Sequence, residues 1–281
     1  MKSRIGILLL LLMIVIGTIL TYGGIAVGQR IMIKPAPEIN EIQRRGELVV
    51  GLYYKDMPPF FMTNDQGKLY GIDIELARDI ARVLGVKVKF NREAKTYQQL
   101  FELVAQNKVD VVISKFSMTF DRAQVIRYTE PYVTFRRALL VNSTYATKKG
   151  IKDYPMDHLR TAKVKVGVRA KTSYVEFANQ LFKNAEIVQY EEWKSVVNAL
   201  KEGEVMAALY DENEVIKSVR KNSNIALFAS VYILKDQKDY IAMALPRGSN
   251  QLLEWLNFYL KSRKINMSVN DLIDRYPEVY E

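Results

Sequence analysis

The sequence predicts an α/β chain of two similar lobes, each a mostly parallel sheet flanked by helices. Two crossover strands join the lobes, and an apolar helix precedes them. Three observations lead there. Short apolar, β-branched runs alternate with stretches of helical spacing, which reads β-α-β-α-β and implies a parallel sheet covered on both faces. That order occurs twice: Val164-Lys-Val-Gly-Val168 echoes Leu48-Val-Val-Gly-Leu52, and Glu204–Asp211 lies on Lys108–Lys115 without a gap. Lastly, Ile5 to Val27 carries no charge and follows Lys2 and Arg4.

As a helix, Ile5–Val27 would span about 35 Å, enough for a bilayer core. The basic flank keeps the N-terminus inside and places the body outside the cytoplasm. Residues 1–30 are therefore an uncleaved anchor to the cytoplasmic membrane, or a secretory signal cut near Gly24-Ile25-Ala26. Both readings make the body extracytoplasmic. Residues 31–45, with Pro35 and Pro37, read as a stiff linker.

The first lobe is expected over 46–137, completed by 233–281, and the second over 138–232. Leu48–Leu52 is a strand, followed by a loop with Pro58, Pro59 and the tip Asn64-Asp-Gln-Gly67. Ile72, Leu76, Ile80 and Val83 recur at helical spacing up to Gly85. Val86, Val88 and Phe90 alternate as a strand. Tyr97–Gln106 is a helix and Val109–Ile113 a third strand. The crossover is Tyr132–Val141. The second lobe repeats the pattern with strands at 164–168, 187–190 and 205–209 and helices at 172–182 and 193–202. Ile241–Leu245 returns, and Leu252–Leu260 forms an amphipathic helix packing on the first lobe.

Net charge is 41 − 31 = +10, with the basic residues spread along the chain. That is a basic face beside acidic lipids rather than a nucleic-acid stripe, and a monomer is expected. No cysteine is present, and His158 is the single histidine. Disulfides, thiol nucleophiles and cysteine-bound zinc are thereby excluded, and neither a cofactor nor a metal is expected.

The buried strand 109–113 empties into Ser114, Lys115, Ser117, Thr119 and Arg122. Hydroxyls, backbone N–H groups and one guanidinium together suit a small carboxylate. Thr119 can cap a short helix from Phe120. Ligands of open α/β sheets sit beyond the carboxyl ends of the strands. If both lobes aim those ends at one cleft, Lys115 and Asp211 occupy equivalent positions. Arg122 then gives one wall a positive charge, and Asp211 gives the other a negative one. A small zwitterion would satisfy both.

The ordered motifs Gly71-Ile-Asp-Ile-Glu-Leu-Ala, Ile80-Ala, Leu84-Gly, Ser117-Met-Thr-Phe-Asp-Arg122, Pro131-Tyr132, Val166-Gly-Val and Ala207-Ala-Leu-Tyr-Asp211 carry a resemblance. Over residues 46 to about 262 the chain resembles type II periplasmic binding proteins of the polar amino-acid family, bacterial extracellular solute-binding protein family 3. The resemblance implies capture of an α-amino acid between closing lobes and delivery to an ABC permease, without catalysis. It assigns the ligand carboxylate to Arg122, with Ser117, the backbone near Lys115, and Thr172. It assigns the α-ammonium to Asp211 with Ser114 nearby, and side-chain cover to Tyr97, Met57 and Tyr54.

Lys115, Arg169, Lys171 and Phe120 depart from the family pattern. Lys115 either faces the cleft and favours an acidic or otherwise anionic ligand, or pairs with Asp211 and partly fills the cleft. Two other functions exist on related folds. One is a dehydratase of cyclic acids of the arogenate or prephenate type, for which Glu212 and Glu214 would be the acid–base candidates. The other is a ligand-sensing module.

Overall fold

The computed structural model describes residues 34–151 and 156–281, so the apolar helix expected at 1–30 lies outside them. No helix among the described residues is long and apolar enough to cross a membrane. The linker expected at 31–45 needs correction in its second half, because Pro37–Arg45 is a helix. Pro37 stands in its first turn, where a missing N–H costs nothing, and Gly46 ends it in the left-handed region at φ 74°. Ile39 and Ile42, three apart on one face, are buried in the core. That apolar pair outweighs the extended tendency of Pro35 and Pro37.

The first lobe runs through β1 (Glu47–Gly51), a small hairpin of β2 (Met62–Thr63) and β3 (Leu69–Tyr70), then β4 (Lys87–Asn91), β5 (Val111–Val112) and β6 (Arg127–Tyr128). The second uses β7 (Val133–Asn142), β8 (Lys165–Arg169), β9 (Glu186–Tyr190), β10 (Ala207–Asp211) and β11 (Ala229–Ile241), and β12 (Ala244–Leu245) returns to the first. The sheet orders are β4-β1-β5-β12-β6 and β11-β7-β10-β8-β9. β1 is parallel to β4 and β5, and β8 is parallel to β9 and β10. β12 runs antiparallel to β5 and β6, and β7 runs antiparallel to β10 and β11. Both sheets are thus mixed, with a parallel part wherever a helix makes the crossover.

Ile72–Leu84, Tyr97–Ala105, Ser173–Leu181 and Trp193–Glu202 are the helices of the repeated pattern. Asn250–Ser262 packs Leu252, Leu253, Leu256, Tyr259 and Leu260 into the first core, as expected. Val269–Arg275 is an additional helix, opened by a Ser268–Asp271 capping box.

β7 and β11 form one long antiparallel ribbon from Val133↔Ile241 to Asn142↔Ala229, with a register slip between Leu234 and Lys238. Val133, Phe135 and Ile241 belong to the first core, whereas Ala138–Val141, Ala229 and Leu234 belong to the second. The chain therefore changes cores where the ribbon is irregular. The return strand, expected at 241–245, begins at Ala229. Its polar stretch Lys235-Asp-Gln-Lys238 hides the strand in the sequence.

Candidate functional site

The site is built from the loops that follow β5 on one sheet and β8 and β10 on the other. Beyond β5, Lys115 adopts a left-handed backbone at φ 46°, a conformation L-residues rarely take. Asp73 fixes it there. Its Oδ2 accepts the Lys115 N–H at 2.7 Å, and its Oδ1 accepts the Tyr132 hydroxyl at 2.7 Å. Burial pushes the Asp73 carboxyl up to about 7, against the pull of those two donors.

With the backbone turned, the Lys115 side chain points across to the other sheet. Its Nζ lies 2.9 Å from Asp211 Oδ2 and 3.1 Å from Glu214 Oε1. Three rings, Phe60, Phe135 and Tyr210, surround the ammonium with centroids at 5.5, 5.9 and 5.5 Å. Burial alone would lower the Lys115 pKa, but Asp211 and then Glu214 hold it well above the ordinary range. Lys217 Nζ joins Glu214 at 2.7 Å and reaches the Pro58 carbonyl at 3.2 Å. Although burial pushes Glu214 upward, the two ammonium groups bring it down to about 2. The structure thus takes the second reading of Lys115, paired with Asp211, and this departs from the acidic-ligand reading.

Arg122 sits in the short helix Phe120–Ala123, capped by Thr119, whose Oγ1 accepts the Arg122 N–H at 3.3 Å. The guanidinium lies 4.4 Å over the Phe116 ring and donates to the Ser117 carbonyl at 3.3 Å. Among the described residues, no carboxylate lies within 4.0 Å of Arg122 or of Arg169. Arg169, at the end of β8, donates to the Tyr53 hydroxyl at 3.0 Å.

Arg122, Ser117, Lys115, Tyr97 and Met57 line one cavity together with Thr172, Tyr210 and Asp211. The cavity leaves about 20 Å³ open to the centre of a water molecule, room for roughly one or two waters. A solute of amino-acid size therefore needs the two walls to move apart. Tyr97 stacks on Tyr53 with centroids 5.0 Å apart, and its buried hydroxyl has no hydrogen-bond partner. Thr172 caps the helix Ser173–Leu181 and donates to the Arg169 carbonyl at 2.7 Å.

Three expected site residues stand elsewhere. Ser114 is fully buried behind the wall, its Oγ accepting the Tyr53 N–H at 2.9 Å. Tyr54 is 38% exposed and packs edge-on against Tyr53, which takes the inner place instead. Thr119 serves as a cap and lines a neighbouring groove rather than this cavity. Glu212 and Glu214 are buried rather than solvated, and Glu212 is held by Arg136 at 2.6 Å.

The sequence reading also missed Asp239. It lies on β11, 1% exposed, and accepts the Ser117 hydroxyl at 3.1 Å and the Tyr174 hydroxyl at 2.8 Å. Burial pushes its carboxyl up to about 6, and the nearby Asp211 charge adds to this. Tyr174 and Tyr210 were missed as well, although Tyr210 is inside a quoted motif.

The pattern of bacterial extracellular solute-binding proteins, family 3, matches residues 48–278. The chain belongs to this family. Among curated family relatives, the L-cystine-binding protein of Escherichia coli (strain K12) is 26% identical over 221 residues, 78% of each chain. An amino-acid ABC transporter substrate-binding protein of Streptococcus pneumoniae bound to L-arginine superposes with a TM-score of 0.66 at 27% identity. The superposition covers 86% of this chain and 99% of that one. An ancestral amino acid-binding protein, described as a precursor of cyclohexadienyl dehydratase, superposes with a TM-score of 0.65 at 26% identity, covering 88% and 100%. Family 3 accounts for the two mixed-sheet lobes and the loops that face each other between them.

Proposed function

We propose that the chain captures a small carboxylate-bearing solute of amino-acid size outside the cytoplasmic membrane, between lobes that close on it, and hands it to an ABC permease. The carrying observation is that Arg122, free of any carboxylate among the described residues, lines the same cavity as Asp211 from the opposite sheet. Arg122 receives the ligand carboxylate in a charge-assisted pair, helped by the Ser117 region, with Thr172 closing from the second wall. Tyr97 and Met57 cover the rest of the ligand. Bonds from both walls form together only when the lobes meet, so binding shifts the balance toward the closed arrangement. The β7–β11 ribbon, irregular between Leu234 and Lys238, is the place where the lobes bend.

The relatives named above bind cystine and arginine, which supports a solute of this size. A dehydratase reading would need a cavity carboxylate free to move a proton. Glu212 and Glu214 are each tied to cations, which favours binding over catalysis.

A thermal-shift panel of common amino acids and related small carboxylates tests the proposal. A ligand at 100 times its Kd should add about 2.7 kcal/mol of stability. Arg122→Gln should then weaken that ligand by about 10- to 100-fold, the worth of a charge-assisted hydrogen bond. A ligand that binds Arg122→Gln as well as the native chain would remove the proposal's central contact.

A further inference from the structure

The groups around Asp211 already form a filled ammonium site. Two carboxylates and three aromatic rings surround one ammonium, and that ammonium belongs to the chain's own Lys115. The charges balance locally: Lys115 and Lys217 face Asp211 and Glu214, and Arg136 faces Glu212. Asp239 lies behind Ser117 and Tyr174, outside the cavity lining, with the Arg137 charge acting on it. What the cavity offers a ligand is therefore a set of donors and cations. Arg122 presents its guanidinium, Tyr97 an unpartnered buried hydroxyl, and Lys115 the hydrogen that neither Asp211 nor Glu214 takes. An ammonium placed here would meet Lys115 and Arg122, and the one buried carboxylate oxygen without a partner among the described residues, Asp239 Oδ1, belongs to a residue outside the cavity lining.

We infer that the solute is a carboxylate bearing an oxygen acceptor, not an ammonium, on its α-carbon, as in a 2-oxo acid. Its carboxylate pairs with Arg122. Its α-oxygen accepts from the Tyr97 hydroxyl or the Lys115 ammonium, which stands where an amino acid would bring its own. This inference rests on the solute-binding reading of the same cleft and narrows its ligand class.

The test is titration calorimetry on the full chain in detergent, with matched probes: pyruvate against alanine, 2-oxoglutarate against glutamate, 4-methyl-2-oxopentanoate against leucine, phenylpyruvate against phenylalanine. At least one oxo acid should bind about 100-fold or more tightly than its amino partner. Lys115→Met should reverse that preference by freeing Asp211 for a ligand ammonium. Because this change leaves two buried carboxylates to Lys217 alone, the double variant Lys115→Met/Glu214→Gln is measured beside it. An amino acid that binds the native chain as tightly as its oxo partner would overturn the inference while sparing the solute-binding reading. Failure of both probe series on the native chain and the double variant would overturn both.

Discussion

Asp239→Asn should flatten the pH dependence of folding stability. The carboxyl is buried on the β7–β11 ribbon beneath Ser117 and Tyr174, with Asp211 and Arg137 as its charged neighbours. In the folded chain it holds its proton up to about 6, and the ordinary value is 3.8. A folded-state value raised above the unfolded one means that the folded state binds more protons between the two. Stability from this group is therefore full below pH 3.8 and is lost as pH rises through about 6. The loss reaches about 1 kcal/mol by pH 4.5 and about 3 kcal/mol by pH 7, a difference of about 2 kcal/mol across that interval. Asparagine keeps an acceptor for Ser117 and Tyr174 and cannot ionise. Urea denaturation followed by the fluorescence of Trp193 and Trp255, at several pH values from 4.5 to 7, should show the variant gaining about 2 kcal/mol on the native chain. Parallel stability curves for the two proteins, within about 0.5 kcal/mol, would refute the assignment of this proton to Asp239.

Two further substitutions probe the frame that holds the site. Gly71→Ala places a Cβ 2.6 Å from the Phe60 carbonyl oxygen at φ 113°, so it should cost about 2 kcal/mol or more and lower Tm by several degrees in calorimetry. An unchanged Tm would show that the Phe60–Ile72 connection yields freely. Ile42→Ala removes a side chain that is 2% exposed from the helix Pro37–Arg45 and should cost about 2–4 kcal/mol in denaturant unfolding. A loss under about 0.5 kcal/mol would mean that this helix behaves as the linker its prolines suggest.

Strong local periodicity made the repeated lobes legible. Trp193–Glu202 matches its expected bounds, because Val196, Val197, Ala199 and Leu200 mark one face and Gly203 stops the helix. Arg122 and Asp211 reach one cavity because Arg122 lies in the segment after β5 and Asp211 ends β10, and the carboxyl ends of both strands point there. The family resemblance gives Tyr54 a covering role that its neighbour is placed to fill. The chain turns after Leu52, and Tyr53 takes the inner place. Asp239 was illegible because its strand looks like a polar loop, and only pairing with β7 through Phe135↔Asp239 carries it inward. The link from Lys217 through Glu214 to Lys115 joins residues about a hundred positions apart, which no local pattern encodes.

That link also explains why Asp211 and Lys115 should be considered as one unit. Burying either charge alone costs several kcal/mol, so each is tolerated because the other is there. Asp211 additionally caps the helix Glu212–Lys221, accepting the Glu214 N–H at 2.8 Å, so it has a structural task as well as a place on the cavity wall. Arg122 has no comparable partner: its guanidinium rests on Phe116 and one carbonyl. The charge left for a ligand to complete is thus the positive one. A wall designed to receive a zwitterion would keep both poles open, and here the negative pole is occupied from within the chain. On the 2-oxo acid inference, selectivity in this cleft is set by Lys115, which stands three residues beyond the end of β5 and is held in place by Asp73.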